Sequence, residues 1–432
     1  MNLLKVISRL LKRGEIKGDH LLILDIGTEF VKSLVLRIDK NSGMGAVVGV
    51  GYEKQSPGNM QAGAVADING VIETCHTAIE RAKVSANIRH SSLISQVVLG
   101  IAGEFVRGAV TTLNYERENP KNKIDLIELK NIVQKIQWRA FNKIKKEAAE
   151  EANISEIEIK LINAVIIDIK IDGYKITNPL NFQGKQIVLS IFNAYAPLVH
   201  LGALQSIVEA LKLELLFIAA EPYAIARAVN FKKGQGDGSG DAIFIDIGGG
   251  TTDIAVVRNG DMEGIKSLAL GGKAFTKRLA QIFDLGLREA EEIKIKYSKG
   301  EVSLIVKRKI TSFFSQDIRI WLSGVRLILE EFSALQILSS QILLCGGASL
   351  LPGIKKGLES EEWRRGLSFI QSPRVDFITP EDIVNIKDET GELIGSRDIT
   401  PLSLASLSLD LIDKENSLIR SILRRTIRLV QS

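Results

Sequence analysis

The residues best suited to chemistry lie in one glycine-rich stretch, Ala-Ile-Phe-Ile-Asp-Ile-Gly-Gly-Gly-Thr-Thr-Asp-Ile-Ala-Val-Val-Arg at 242–258. Two β-branched runs around a tight turn predict a buried hairpin with a polar tip. Because glycine backbone can close on an anion, and flanking carboxylates suit a divalent cation, the tip is predicted to hold a metal-nucleotide. The alternative is a glycine-rich turn that binds nothing. The predicted ligands are Asp246, Gly248, Gly249, Gly250, Thr251 and Thr252.

The same order of strand, Asp-Ile-Gly, Thr and strand occurs once before, at 21–38. There Asp25, Gly27 and Thr28 stand where the second hairpin has its own Asp, Gly and Thr. A repeated hairpin predicts two related lobes that face one nucleotide. The two aspartates, Asp25 and Asp246, are the candidates to position Mg²⁺ through water.

A third glycine turn follows an apolar run near the C-terminus, at 341–353. Its Gly346 and Gly347 leave room for the backbone to approach a flat group. We expect this turn to open a helix.

Composition indicates an ordinary globular chain of several domains, because 432 residues exceed one hydrophobic core and 45% of them are hydrophobic. Cys75 and Cys345 lie far apart without metal-ligand neighbours, which disfavours a disulfide framework or zinc site and suits a reducing cytoplasm. No apolar run approaches the roughly 20 residues that span a bilayer.

The net charge of +5 is concentrated in the two ends of the chain, around a mildly acidic body. This distribution argues against a broad nucleic-acid surface and favours attraction to an anionic membrane. Each end also carries an apolar stripe at helical spacing, which predicts an amphipathic helix on a membrane or, alternatively, one packed on the body. The stripes are Leu3, Leu4, Ile7, Leu10 and Leu11, and Leu418, Ile419, Ile422, Leu423, Ile427 and Val430.

The three glycine motifs, in this order over more than 300 residues, resemble the two phosphate motifs and the adenosine motif of the actin and DnaK superfamily. Within it the chain most resembles FtsA, which ties FtsZ filaments to the membrane. The likeness includes the segments 97–108, 171–184 and 290–294. It implies an α/β, actin-like two-lobe ATPase fold of duplicated ribonuclease-H-like domains, with an FtsA-type α+β insertion subdomain.

The resemblance also implies roles for further residues. Glu221 would orient the attacking water at the γ-phosphate, although it could equally just complement a helix N-terminus. Glu291 and Lys294 would hold ribose and adenine; without the resemblance they would be a surface ion pair. The remaining implied nucleotide contacts are Gly271, Gly272, Lys273, Gly346, Gly347 and Ala348.

The clearest boundary is the glycine-rich linker at 232–240. The predicted division is an amphipathic segment at 1–18, the first lobe at 19–57 and 189–232, an inserted subdomain at 58–188, a second lobe at 241–395, a closing helix of the first lobe at 396–412 and an amphipathic membrane-targeting tail at 413–432.

The resemblance predicts an ATP- and Mg²⁺-binding cytoskeletal protein that forms filaments with itself and anchors the FtsZ ring to the cytoplasmic face of the cell membrane, with at most slow ATPase activity. The alternative is a PilM-like actin homologue of type IV pilus assembly that binds a membrane partner's cytoplasmic peptide. A turnover ATPase of the chaperone or sugar-kinase type is disfavoured, since no substrate domain is evident. No nucleic-acid partner is expected.

Two features depart from FtsA. The region between Lys296 and Gln341 is short for the subdomain that receives the FtsZ tail in that family. Lys273 follows the second glycine pair, where FtsA tends to have asparagine or another polar residue.

Overall fold

A computed structural model describes residues 18–39, 42–88, 94–104, 106–151, 158–229, 240–333 and 337–413 of the chain. Both predicted amphipathic stripes, in 1–17 and 414–432, lie outside the described residues, as does most of the glycine-rich linker.

The first lobe is built on a six-stranded sheet with strand order β11-β6-β1-β2-β3-β17. Strands β1 to β3 are antiparallel, whereas β6 and β11 run parallel to β1. Its central strands read as continuous apolar runs because both faces are covered. The strands are β1 (His20–Ile26), β2 (Phe30–Asp39), β3 (Met44–Lys54), β6 (Gln96–Ile101), β11 (Glu214–Ala220) and β17 (Ile386–Asp388); β4 (Met60–Gln61) and β5 (Ala64–Val65) form a separate ribbon.

Four helices belong to the first lobe: α1 (Ile68–Ser85), α3 (Leu198–Ala210), α4 (Glu221–Ala228) and α10 (Ile399–Asp413). Both ends of the described chain lie at one end of its sheet. The carbonyl of Asp19 accepts a hydrogen bond of 2.8 Å from the Ile38 amide. Gly45, which pairs with Ile38, lies against Leu409 near the end of α10.

The second lobe repeats this plan in part of a nine-stranded sheet with strand order β16-β15-β12-β13-β14-β7-β10-β8-β9. Again three antiparallel strands are followed by parallel ones. The predicted duplication and two-lobe fold are therefore confirmed. The strands of this lobe are β12 (Ala242–Ile247), β13 (Thr252–Arg258), β14 (Asp261–Leu268), β15 (Gln341–Cys345) and β16 (Arg374–Phe377), and its helices are α5 (Gly272–Phe283), α6 (Leu287–Lys299), α7 (Leu304–Ser333), α8 (Ile354–Leu358) and α9 (Glu361–Arg364).

The inserted α+β unit supplies the rest of that sheet. The long helix α2 (Leu126–Glu151) covers one face, and its core is a separate apolar cluster around Ile132, Ile136 and Leu189. The sheet joins the second lobe where β14 pairs with β7 at Ile265 and Gly108. The strands are β7 (Arg107–Glu116), β8 (Ile159–Ile171), β9 (Tyr174–Lys175) and β10 (Gln186–Pro197).

The start of the insertion differs from the predicted residue 58. Helix α1 packs on β2 and β3, and β6 is paired between β1 and β11, so both belong to the first lobe. In the structure the inserted strands begin with β7, at Arg107.

The region after α6 is a single helix. Among the described residues, no strand longer than an isolated bridge lies between β14 and β15, and α7 runs for 30 residues. None of the described helices is long and apolar enough to cross a bilayer.

Candidate functional site

The tips of the two glycine hairpins touch each other. In the second hairpin the Gly248 amide donates to the Thr251 carbonyl at 2.9 Å, which closes the turn. A Cβ atom on Gly249 would lie 2.6 Å from Cγ of Glu29, and one on Gly250 would lie 2.6 Å from Oγ1 of Thr28. Glycine is thus required here because the first turn packs directly on the second.

Three aspartates lie buried behind these tips, each with its own partner. Asp25 forms a 2.9 Å ion pair with Lys32, and Asp246 accepts a hydrogen bond of 2.9 Å from the Thr400 hydroxyl. Asp253 accepts from the Thr251 hydroxyl at 2.9 Å and from other donors. The hairpin register places Asp25 opposite Lys32 and Asp246 opposite Asp253.

Glu221 joins this carboxylate cluster from the first residue of α4. Its Oε1 lies 2.5 Å from where a Cβ on Gly100 would be, so glycine in β6 makes room for the carboxyl group. Burial, followed by the charges of Asp25 and Asp246, raises the pKa of Glu221 well above its usual value. Burial and the charge of Asp253 raise the pKa of Asp246 to about 6.

Lys32 supplies positive charge to this acidic site. Burial alone would lower its pKa, but the carboxylates, Asp25 first among them, outweigh burial and raise the pKa. Sequence reasoning overlooked Lys32. A signal was present, since in a two-stranded hairpin the residue opposite Asp25 is fixed by the turn.

The start of α5 is fastened to the second glycine turn. The amides of Gly272 and Lys273 donate to the carbonyls of Gly248 and Gly249 at 2.9 and 2.7 Å. The Lys273 ammonium crosses to the first hairpin, 3.1 Å from the Glu29 carboxylate and 3.2 Å from the Thr28 carbonyl. Lys273 therefore links the two lobes at their closest approach.

Gly271 stands directly before α5, where even a methyl group would meet the turn. A Cβ there would lie 2.7 Å from the Gly248 carbonyl oxygen.

Glu291 and Lys294 are an ion pair of 2.7 Å, but not a surface one, because their side chains are only 14% and 9% exposed. Lys294 also donates to the Thr276 hydroxyl at 2.8 Å and to the Gly272 carbonyl at 3.1 Å. The alternative prediction for this pair, a surface salt bridge, is therefore wrong. The pair is attached through Gly272 to the glycine turn.

The third glycine turn lies against Asp246. Gly346 has φ of +87°, and a Cβ there would be 2.1 Å from Oδ1 of Asp246. The Ala348 amide donates to the Ile247 carbonyl at 2.9 Å. At Gly347 there is more room, because a Cβ there would lie 4.0 Å from its nearest neighbour, Cβ of Arg397. The expected helix does not open here: turns follow, and α8 begins only at Ile354.

Residues shortly before and within α10 complete the site, and sequence reasoning missed them. The Ser396 carbonyl accepts from the Gly346 amide at 2.9 Å, and Thr400 bonds Asp246. Nearby, the fully buried Asp398 accepts from the Tyr52 hydroxyl at 2.9 Å. No local pattern marks these residues, because their partners are far away in sequence.

No group of three or more acidic, histidine or cysteine side chains could hold a metal ion by itself within the part of the chain described. Asp25 and Asp246 nevertheless fit Mg²⁺, which usually keeps several waters and takes one or two carboxylates plus phosphate oxygens. Burial and the neighbouring carboxylates raise the pKa values of Asp246 and Glu221, and the charge of Lys32 opposes both shifts.

Comparison with known proteins gives the following similarities. The family model "Cell division protein FtsA" matches residues 243–388, and a hydantoinase/oxoprolinase model matches 196–285. FtsA of Neisseria meningitidis serogroup B is 27% identical over 78% of this chain and 80% of its own, and FtsA of Streptococcus pneumoniae is 23% identical over 77% and 71%. A solved PilM–PilN type IV pilus biogenesis complex superposes with a TM-score of 0.59 and 19% identity, covering 90% of this chain and 98% of that one.

Two duplicated sheets with glycine hairpins meeting at the cleft define the actin-like ATPase fold, which the PilM structure shares. The FtsA model matches the second-lobe motifs, and FtsA relatives align over most of the chain. Within this class the chain is similar to FtsA cell division proteins over 77 to 78% of its length.

Proposed function

We propose that the cleft between the lobes binds ATP with Mg²⁺. The observation that carries the proposal is the contact between two glycine turns that leave Asp25, Asp246 and Lys32 together at their base. Backbone amides at such turns suit phosphate oxygens, and a buried cation beside them suits the same charge.

The predicted site residues fall into three groups around the nucleotide. The turns at 27–28 and 248–252 hold the phosphates, and Asp25 and Asp246 position Mg²⁺ through water. Glu291 and Lys294 hold the ribose and adenine, and Gly271 to Lys273 are further nucleotide contacts. The adenine lies against Gly346, Gly347 and Ala348.

Glu221 is the proposed residue that orients the attacking water. Bound Mg²⁺ supplies positive charge for the phosphates and for the carboxylate cluster. In the protein alone, burial and the neighbouring carboxylates raise the pKa of Glu221. Turnover is expected to be slow, because an actin-like clamp uses the nucleotide state to set filament contacts rather than to process a substrate.

At the cellular level we propose that the chain polymerises and anchors the FtsZ ring to the cytoplasmic face of the membrane. The FtsA relatives named above support a role in cell division. The basic amphipathic stripe in 414–432 supports anchoring to anionic lipid. In place of a separate receiving subdomain, α6 leads through a short turn into α7.

The nucleotide site is tested by calorimetric titration with MgATP. Asp246→Asn, which can still accept the Thr400 hydrogen bond, and Gly249→Val should each abolish binding. Gly249→Val also separates the hairpins, so folding is checked by thermal unfolding. Gly286→Ala, whose Cβ meets nothing within 4 Å, is the matched control. Wild-type affinity in either site variant would show that the site is wrongly placed.

The alternative, a PilM-like protein that binds a membrane partner's peptide, makes a different prediction. Tight binding to a short cytoplasmic peptide, without binding to anionic vesicles, would favour it. Ile422→Glu with Ile427→Glu should release the proposed anchor from vesicles and leave ATP binding intact.

A further inference from the structure

The turn between α6 and α7 presents exposed aliphatic side chains on a well-ordered support. We call residues 295–309 the hairpin tip. Ile305 is 82% exposed and Leu304 is 63% exposed, both in the first turn of α7. Contiguous exposed apolar side chains that are rimmed by polar residues mark interaction surfaces, membrane contacts among them.

The hairpin tip is held rigidly from below. Gly300 has φ of +76° and ends α6, with its amide 3.0 Å from the Tyr297 carbonyl. The buried Tyr297 is hydrogen-bonded at 2.9 Å to Thr311 of α7 and packs edge-on against Phe314. The exposure of Leu304 and Ile305 is therefore fixed by the fold of the hairpin.

Five cations lie in the same stretch of sequence as these two aliphatic residues. Those that have no ion-pair partner within 4.0 Å among the described residues are Lys296, Lys299, Lys307 and Arg308. Lys309 lies 4.6 Å from the centre of the Phe283 ring. Glu301 is the one acidic residue in this stretch of sequence.

The shape of the hairpin tip decides between an acidic peptide and a lipid surface. A peptide is usually recognised in a groove that receives its side chains, but here the side chains of this chain protrude. A bilayer accepts protruding aliphatic groups at the boundary of headgroups and acyl chains, and its anionic headgroups attract nearby lysine and arginine. We propose that the hairpin tip inserts into an anionic membrane, with Leu304 and Ile305 in the interface and the flanking cations on lipid phosphates.

This inference deepens the membrane association in the proposed function, but it rests on a second-lobe surface and not on the tail. A second contact through the hairpin tip would fix which side of the molecule faces the membrane.

The test is a fluorescent label in the full chain. Ile305→Cys is coupled to the fluorophore NBD, and Ile394→Cys, at a residue 79% exposed, is the matched control. Labelling is selective because Cys75 and Cys345 are buried, and burial raises the pKa of the Cys75 thiol to about 12. With vesicles of phosphatidylcholine and phosphatidylglycerol, emission at 305 should rise and shift to shorter wavelength, while emission at 394 stays unchanged. No shift at 305, or an equal shift at both, overturns the proposal.

The same label at residue 305 distinguishes membrane binding by the hairpin tip from membrane binding by the tail. If Ile422→Glu with Ile427→Glu leaves the response at 305, the tip binds lipid without the tail. If the unmodified chain sediments with vesicles and the label at 305 is silent, the tail remains an anchor and the tip proposal fails. Lys307→Glu with Arg308→Glu should weaken vesicle partitioning by at least about fivefold for each cation removed; unchanged partitioning and an unchanged response at 305 would count against it.

Discussion

Lys32 holds together the buried carboxyl groups at the base of the hairpins. Lys32→Met should lower the free energy of unfolding by about 3 kcal/mol, because it leaves Asp25 charged and unpaired in a buried place. Urea unfolding at pH 7 measures this loss. Adding Asp25→Asn should recover part of it, since the uncompensated charge is then gone. A double variant no more stable than Lys32→Met would show that the lysine acts through packing alone.

Gly346 combines an unusual backbone angle with a close neighbour, and Gly391 separates the two effects. Both have positive φ, +87° and +70°, but a Cβ on Gly391 meets nothing within 4 Å. Gly391→Ala should therefore cost about 1 kcal/mol from backbone strain alone. Gly346→Ala should cost about 3 kcal/mol, because its methyl group also displaces Asp246. Thermal unfolding measures both losses of stability. If the two variants lose the same stability, the structure relieves the contact with Asp246 at little cost.

Residues of the site were predictable where a local pattern implied them. A local sequence pattern identifies Asp25, Asp246 and the glycines between the strands, because turn chemistry is local. Thr400 was not predictable, since it bonds Asp246 across 154 residues of sequence. Serine and threonine in a helix such as α10 give no sign of which distant carboxylate they meet.

The start of α5 and the first hairpin form an element-level connection between the lobes, through Lys273 and Glu29. A double-mutant cycle with Lys273→Met and Glu29→Gln should give a coupling of about 0.5 to 1 kcal/mol, since the side chains are 35% and 20% exposed. Each single variant should also speed ATP dissociation, because the pair opposes opening of the cleft. Stopped-flow release of a fluorescent ATP analogue measures the rate, and high salt should reduce the difference. Additive effects at low salt would argue against a direct interaction.

Elements were predicted well where their own periodicity defines them, and less well where pairing is distant. The hairpins predicted at 21–38 and 242–258 agree with the strand pairs β1–β2 and β12–β13. The predicted insertion at 58–188 included β6, whereas the structure pairs β6 with β1 and β11 of the first lobe. The prediction missed this because both partners are remote in sequence. A buried apolar strand reads the same in either sheet, so only the fold could assign it.

At the scale of the whole molecule, repetition of the hairpin motif predicted two lobes, but not how the insertion attaches. Its sheet continues that of the second lobe through the pairing of Ile265 with Gly108, although its chain enters and leaves through the first lobe. Glycine in β7 admits the Phe192 ring, which a Cβ would approach to 2.6 Å. Such a junction depends on three-dimensional packing and has no signature in either strand alone.

The neighbouring positions of Asp19 and Leu409 around β2 and β3 make the order of the lobes in the gene interchangeable. Chain ends that lie close together permit circular permutation. Joining residue 413 to residue 18 by a short glycine-serine linker, and opening the chain within 230–239, would place the second lobe first and keep every described strand pairing. The permuted chain should bind MgATP as the parent does and unfold within a few degrees of a parent chain trimmed to residues 18–413. A permutant that is insoluble or unable to bind nucleotide would show that synthesis of the first lobe must precede that of the second.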